Sequence, residues 1–88
     1  MKLIIENKVT RKEAVQFTGN FDEVEDFVGG DLGKDKDGNY VVATLEGAMK
    51  VSPNDFIIKG LRGEFYPCKP DIFKASYNVV EMTESFLD

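Results

Sequence analysis

Residues 40–77 read YVVATLEGAMKVSPNDFIIKGLRGEFYPCKPDIFKASY, and this stretch decides the fold. Tyr40-Val41-Val42-Ala43-Thr44 and Ala48-Met49-Lys50-Val51 carry β-branched and aromatic residues that suit a pleated, half-buried surface. Between them Leu45-Glu46-Gly47 ends in a glycine that tolerates positive φ, the mark of a hairpin. Ser52-Pro53-Asn54-Asp55 is a second turn, in which proline presets φ and Asn54 accepts a left-handed geometry. Phe56-Ile57-Ile58-Lys59 is the next strand, and Gly60-Leu61-Arg62-Gly63 turns into Glu64-Phe65-Tyr66-Pro67-Cys68. On that last strand Glu64 and Tyr66 point to one face while Phe65 and Pro67 point to the other. Lys69-Pro70-Asp71-Ile72-Phe73 opens a short helix, because proline suits the first helical turn and Asp71 suits the positive end of the dipole there. Phe73 and Tyr77 stand four apart on one face, and Asn78 ends the helix.

Working back toward the start, Asp31 to Asn39 reads as a polar loop closed by the turn Asp37-Gly38-Asn39. Phe21, Val24, Phe27 and Val28 form one apolar face of a short helix. Asn20 and Glu23, three apart, have the spacing of a capping box, and Gly29-Gly30 stops the helix. Glu13-Ala14-Val15-Gln16-Phe17 alternates, so it is a strand ended by Thr18-Gly19. Leu3-Ile4-Ile5 is either a short edge strand or a frayed start. Beyond residue 77, Val79-Val80-Glu81 forms a last strand and Met82 to Asp88 a loose tail. The sum is one α+β domain over residues 1–88, its core at about 11–80, with a mainly antiparallel sheet of about five strands and two short helices.

A chain of 88 residues has a thin core, and self-association is an easy way to add buried area. The net charge of −5 argues against general nucleic-acid binding, which depends on phosphate neutralisation by Lys and Arg. The charge is uneven: residues 1–19 sum to +2, 20–47 to −6, 48–77 to +2 and 78–88 to −3, counting Lys, Arg, Asp and Glu. With one cysteine and no histidine, no internal disulfide can form and a reducing compartment fits. No run approaches the roughly 18 apolar residues of a membrane span, and Met1-Lys2-Leu3-Ile4-Ile5-Glu6 is too briefly apolar for a signal segment. The expectation is a soluble intracellular protein.

The stretch Gly60-Leu61-Arg62-Gly63-Glu64-Phe65-Tyr66-Pro67-Cys68-Lys69-Pro70-Asp71-Ile72-Phe73 resembles the C-terminal signature of a family of small phage and prophage proteins. Thr44-Leu45-Glu46-Gly47, Pro53-Asn54-Asp55-Phe56-Ile57-Ile58-Lys59-Gly60 and Glu13-Ala14-Val15-Gln16-Phe17-Thr18-Gly19 share the likeness, which covers about residues 11–77. The family's usual turn is Pro-Gly-Asp-Tyr; here Asn54 and Phe56 replace its glycine and tyrosine, so the turn survives and the phenol is lost. The resemblance implies a phage origin and a place in the cytoplasm of an infected bacterial host, and it implies no reaction. The chain is also distantly similar to phage anti-Thoeris sponge proteins, which sequester cyclic ADP-ribose signals as oligomers. That likeness implies a counter-defence role and a homo-oligomer.

The catalytic inventory is poor. Cys68 lacks a histidine to activate it, so its plain reading is a small hydrophobe on a strand. Asp31, Asp35, Asp37 and Asn39 alternate, but Gly33 and Thr44 stand where a calcium loop needs acids, which leaves a solvated acidic loop. One cysteine without histidine makes a poor zinc set. Asp22, Glu23, Glu25 and Asp26 read as the solvent face of a helix. Gly60-Leu61-Arg62-Gly63 lacks the ending of a phosphate loop. The remaining constellation is Lys59, Arg62, Glu64, Tyr66, Lys69 and Asp71. There the Arg62 fork suits phosphate or carboxylate and Tyr66 offers a stacking face, against a plain reading as ordinary surface charges around a turn. The reading is a non-enzymatic accessory protein without cofactor or metal. It binds a small anionic ligand or a host protein, with a structural or morphogenesis role in the virion as the alternative.

Overall fold

Among the described residues, tight turns and short alternating segments give eight strands and two α-helices, the first followed by a 3-10 turn at Gly29–Asp31: β1 Lys2–Glu6, β2 Arg11–Gln16, α1 Phe21–Val28, β3 Leu32–Lys34, β4 Tyr40–Thr44, β5 Gly47–Lys50, β6 Phe56–Lys59, β7 Phe65–Cys68, α2 Pro70–Ser76 and β8 Asn78–Thr83. The computed structural model describes residues 1–6 and 11–83 of the 88. The strands form two antiparallel sheets, a five-stranded one in the order β7-β6-β2-β1-β8 and a three-stranded one in the order β3-β4-β5. The α+β architecture expected from the sequence is therefore present. No helix among the described residues is long and apolar enough to cross a membrane.

The large sheet buries both faces. Val15, Ile57 and Phe65 face a cluster with Val24 and Val28 of α1, Val42 of β4 and Val51. On the opposite face Leu3, Ile5, Ala14, Phe56 and Ile58 meet Phe73 of α2, with Tyr66, Cys68 and Tyr77 packed at the margin. The period of two makes this division: Val15 and Ala14, like Ile57 and Ile58, are neighbours in sequence and serve opposite clusters. The α2 face is sealed by the Phe73 ring, which stacks on Phe56 at 3.7 Å between centroids.

Several local expectations change. Leu3-Ile4-Ile5 belongs to an interior strand, because β1 pairs with β2 on one side and β8 on the other. Leu32-Gly33-Lys34, read as loop, is a strand paired with β4, and its glycine and lysine hide it from propensity. Asn78 starts β8 instead of ending α2, and Met82 lies in that strand; Glu84 to Asp88 lie outside the described residues.

Asn20 does not cap α1 by the expected bond. Its carboxamide turns back, accepting from Thr18 N–H and donating to the Gln16 carbonyl and the Glu23 carboxylate. Glu23 is accordingly half-buried, unlike the exposed Asp22, Glu25 and Asp26.

Two turns follow the sequence closely. Asp55 N–H donates to the Ser52 carbonyl at 3.0 Å and Asn54 has φ of 74°, the left-handed geometry that turn requires. Asn54→Gly should leave stability within about 0.5 kcal/mol, whereas Asn54→Ala should cost about 1 kcal/mol, read by urea unfolding. In the second turn Gly63, at φ of 81°, donates to the Gly60 carbonyl, and Gly60 donates to the Glu64 carbonyl at 2.7 Å. That bond sets the hydrogen-bonding parity of β7: Glu64, Tyr66 and Cys68 direct their backbone groups at β6, and Phe65 and Pro67 direct theirs outward. Proline is tolerated in β7 for that reason, since its missing N–H faces away from the ladder.

Candidate functional site

The six residues singled out by the sequence gather around β7 and separate by face. Glu64 lies over Gly60, where an added Cβ would stand 2.1 Å from Glu64 Oε1, and the same oxygen accepts from Arg62 N–H at 3.0 Å. Glu64 therefore braces the β6–β7 turn. Arg62 is exposed, and its guanidinium has no ion-pair partner among the described residues. Lys59 sits across the sheet, on the Ile57 face, in a hollow with Lys2, Glu13 and Asp26. Asp71 is exposed in the first turn of α2.

Lys69 has structural work. Its ammonium bridges both oxygens of Asp55 at 3.1 and 3.0 Å, and Asp55 is only 2% exposed. Asp55 Oδ2 also accepts from Ser52 N–H at 2.9 Å. The pair ties the start of α2 to the turn before β6, so Lys69 is not a spare cation for a ligand.

Tyr66 projects to the α2 face, where its hydroxyl accepts from Lys12 Nζ at 3.1 Å and lies 3.5 Å from the Tyr77 hydroxyl. Lys12 Nζ stands 5.7 and 5.9 Å from the two ring centroids. Burial and the bond to Tyr66 push the Tyr77 phenol up to about 12, so it stays a proton donor at neutral pH.

Along the outer edge of β7 runs an open trough of about 350 Å³, lined by Thr44, Leu45, Glu46, Met49, Glu64, Phe65, Tyr66 and Pro67. It continues past Leu45 and Glu64 to Arg62 and Asp31 at one end. At the other end it passes Met49 and Pro67 to reach Cys68, Lys69 and Ile72. Leu45, Met49 and Ile72 are 79%, 41% and 55% exposed there, which gives the trough an apolar wall. The β4–β5 turn projects Leu45 because Thr44 Oγ1 accepts from Glu46 N–H and donates to the Gly47 carbonyl, closing the turn without using the leucine.

Cys68 is half-buried at the margin of this trough, and burial, followed by the charges of Asp55 and Asp71, pushes its thiol up. A raised thiol is the opposite of an activated nucleophile. Asp35 is occupied by its own turn: the Asn39 backbone N–H, foremost, holds the carboxylate below the usual range, and Asp37 N–H donates to it as well.

The sequence places Arg62 in the β6–β7 turn, Tyr66 on β7 and Lys69 at the start of α2, as the structure has them, whereas Glu64, read as part of the strand, precedes β7. Sequence reasoning missed Lys12, Asp55, Leu45 and Met49. Lys12 is two residues before the buried Ala14, so period two places both on one face; its meeting with Tyr66, 54 residues away, left no local signal. No protein-family model, curated protein or solved structure matches the chain.

Proposed function

We propose that this chain is a non-enzymatic binding protein that holds a small ligand with a flat or apolar body and an anionic group. The observation that carries this reading is the trough along β7, with the Leu45, Met49 and Pro67 wall at its centre and, at one end, Arg62, which has no ion-pair partner among the described residues. A volume of about 350 Å³ falls at the lower end of small-ligand sites. Arg62 supplies planar donors suited to phosphate or carboxylate. The phage setting implied by the resemblance makes a host nucleotide signal the concrete form of such a ligand, sequestered and not turned over.

The test is to isolate the protein from bacteria with an active nucleotide-signalling defence, denature it and analyse the released small molecules by mass spectrometry. A nucleotide released in stoichiometric amount supports sequestration, and a blank moves the trough to a segment of a host protein, tested next by pulldown. Arg62→Ala should weaken capture at least tenfold while changing stability by less than about 0.5 kcal/mol, as expected for an exposed side chain without partners. Unchanged capture by that variant would remove Arg62 from the site.

A further inference from the structure

The α2 face of the large sheet ends in a polar group of which only Tyr66 also lines the trough. Lys12 of β2, Tyr66 of β7 and Tyr77 after α2 come from three separate elements, and the Tyr66 hydroxyl lies within 3.5 Å of both the Lys12 ammonium and the Tyr77 hydroxyl. An ammonium carries three donor hydrogens and each phenol one, against two phenol oxygens as acceptors. One ammonium hydrogen goes to Tyr66, and one phenol hydrogen lies between the two hydroxyls. The other three hydrogens have no acceptor among the described residues, and Lys12 has no carboxylate within ion-pair distance there. A half-buried cation is held here by a phenol oxygen, with two tyrosine ring centroids at 5.7 and 5.9 Å and no acid at ion-pair distance among the described residues. The cluster is thus rich in donors and charge and poor in acceptors.

We propose that Lys12, Tyr66 and Tyr77 form a second site, adjoining the trough at Tyr66, that takes a compact oxyanion of the phosphate type. A phosphate-type oxyanion offers mainly acceptors, matching the surplus donors, and it supplies the negative charge that Lys12 lacks. The two tyrosine rings are already packed against the cluster that holds Phe73, Ile58 and Ala14, so little of their side-chain freedom remains to be lost on binding. The site shares only Tyr66 with the lining of the trough: Lys12 and Tyr77 lie on the α2 face outside that lining, and Arg62 is not among its donors.

The experiment follows the tyrosine ring resonances by NMR while inorganic phosphate, pyrophosphate or adenosine monophosphate is added at constant ionic strength. Expected are saturable shifts of Tyr66 and Tyr77, absent with chloride. Lys12→Met, which keeps the aliphatic stem, should weaken binding at least tenfold, and Tyr77→Phe, which removes one donor and keeps the ring, about threefold. Arg62→Ala should leave this binding unchanged even if it abolishes capture in the trough. Equal affinity for phosphate and the nucleotide would limit recognition to the phosphate group, and tighter nucleotide binding would extend it to the base. Non-saturable shifts, the same shifts with chloride, or full affinity in both Lys12→Met and Tyr77→Phe would overturn the proposal.

Discussion

Phe73→Ala is expected to cost about 3–5 kcal/mol of folding stability, the usual range for deleting a buried aromatic ring. Phe73 is 2% exposed, lies parallel to Phe56 at 3.7 Å and has the Tyr77 ring at 5.4 Å. It is the buried residue of α2, so its loss removes the helix from the sheet as well as leaving a cavity. Seven residues make too short a helix to persist without such an anchor. Urea unfolding of Phe73→Ala and Phe73→Leu separates the two effects. The leucine variant should recover part of the loss by filling volume without restoring the stack. A cost below about 1 kcal/mol for Phe73→Ala would mean that α2 is held by something else.

Lys69→Met comes next, with an expected cost of about 2–3 kcal/mol. Breaking a fully buried pair costs about 3–5 kcal/mol; here the Lys69 side chain is 58% exposed while that of Asp55 is 3% exposed, so water screens one partner only. The substitution leaves the Asp55 carboxylate buried with the Ser52 N–H as its remaining side-chain partner. The double variant Asp55→Asn/Lys69→Met should be more stable than Lys69→Met alone, because no uncompensated charge then stays in the interior. Full stability in Lys69→Met together with lost ligand capture would return Lys69 to the binding site.

The fold was legible where local chemistry and global packing agree. Ser52-Pro53-Asn54-Asp55 and Gly60-Leu61-Arg62-Gly63 each demand a specific backbone geometry, and both adopt it. Strand order was not legible, since β1 and β8 meet from opposite ends of the chain and nothing in Leu3-Ile4-Ile5 announces a partner beyond residue 77. For the site, residue type indicated capacity and not employment. Glu64, Tyr66 and Lys69 all read as free polar groups. The structure gives Glu64 to a turn, Tyr66 to Lys12 and Lys69 to Asp55. Each of those partners depends on burial or on a contact distant in sequence, except the Glu64 brace, which the Gly60 spacing would have allowed.

The two margins of the large sheet are unlike. β7 shows Pro67 to the outside with the trough beside it, whereas β8 carries exposed Val79, Val80 and Met82 and has no proline or basic residue along its length. If copies of this chain join strand to strand through the large sheet, the β8 margins are the ones that meet. The assembly then terminates as a twofold pair, because each outer end now presents a proline. The same asymmetry that leaves an open trough beside β7 would keep such joining from propagating into a fibre.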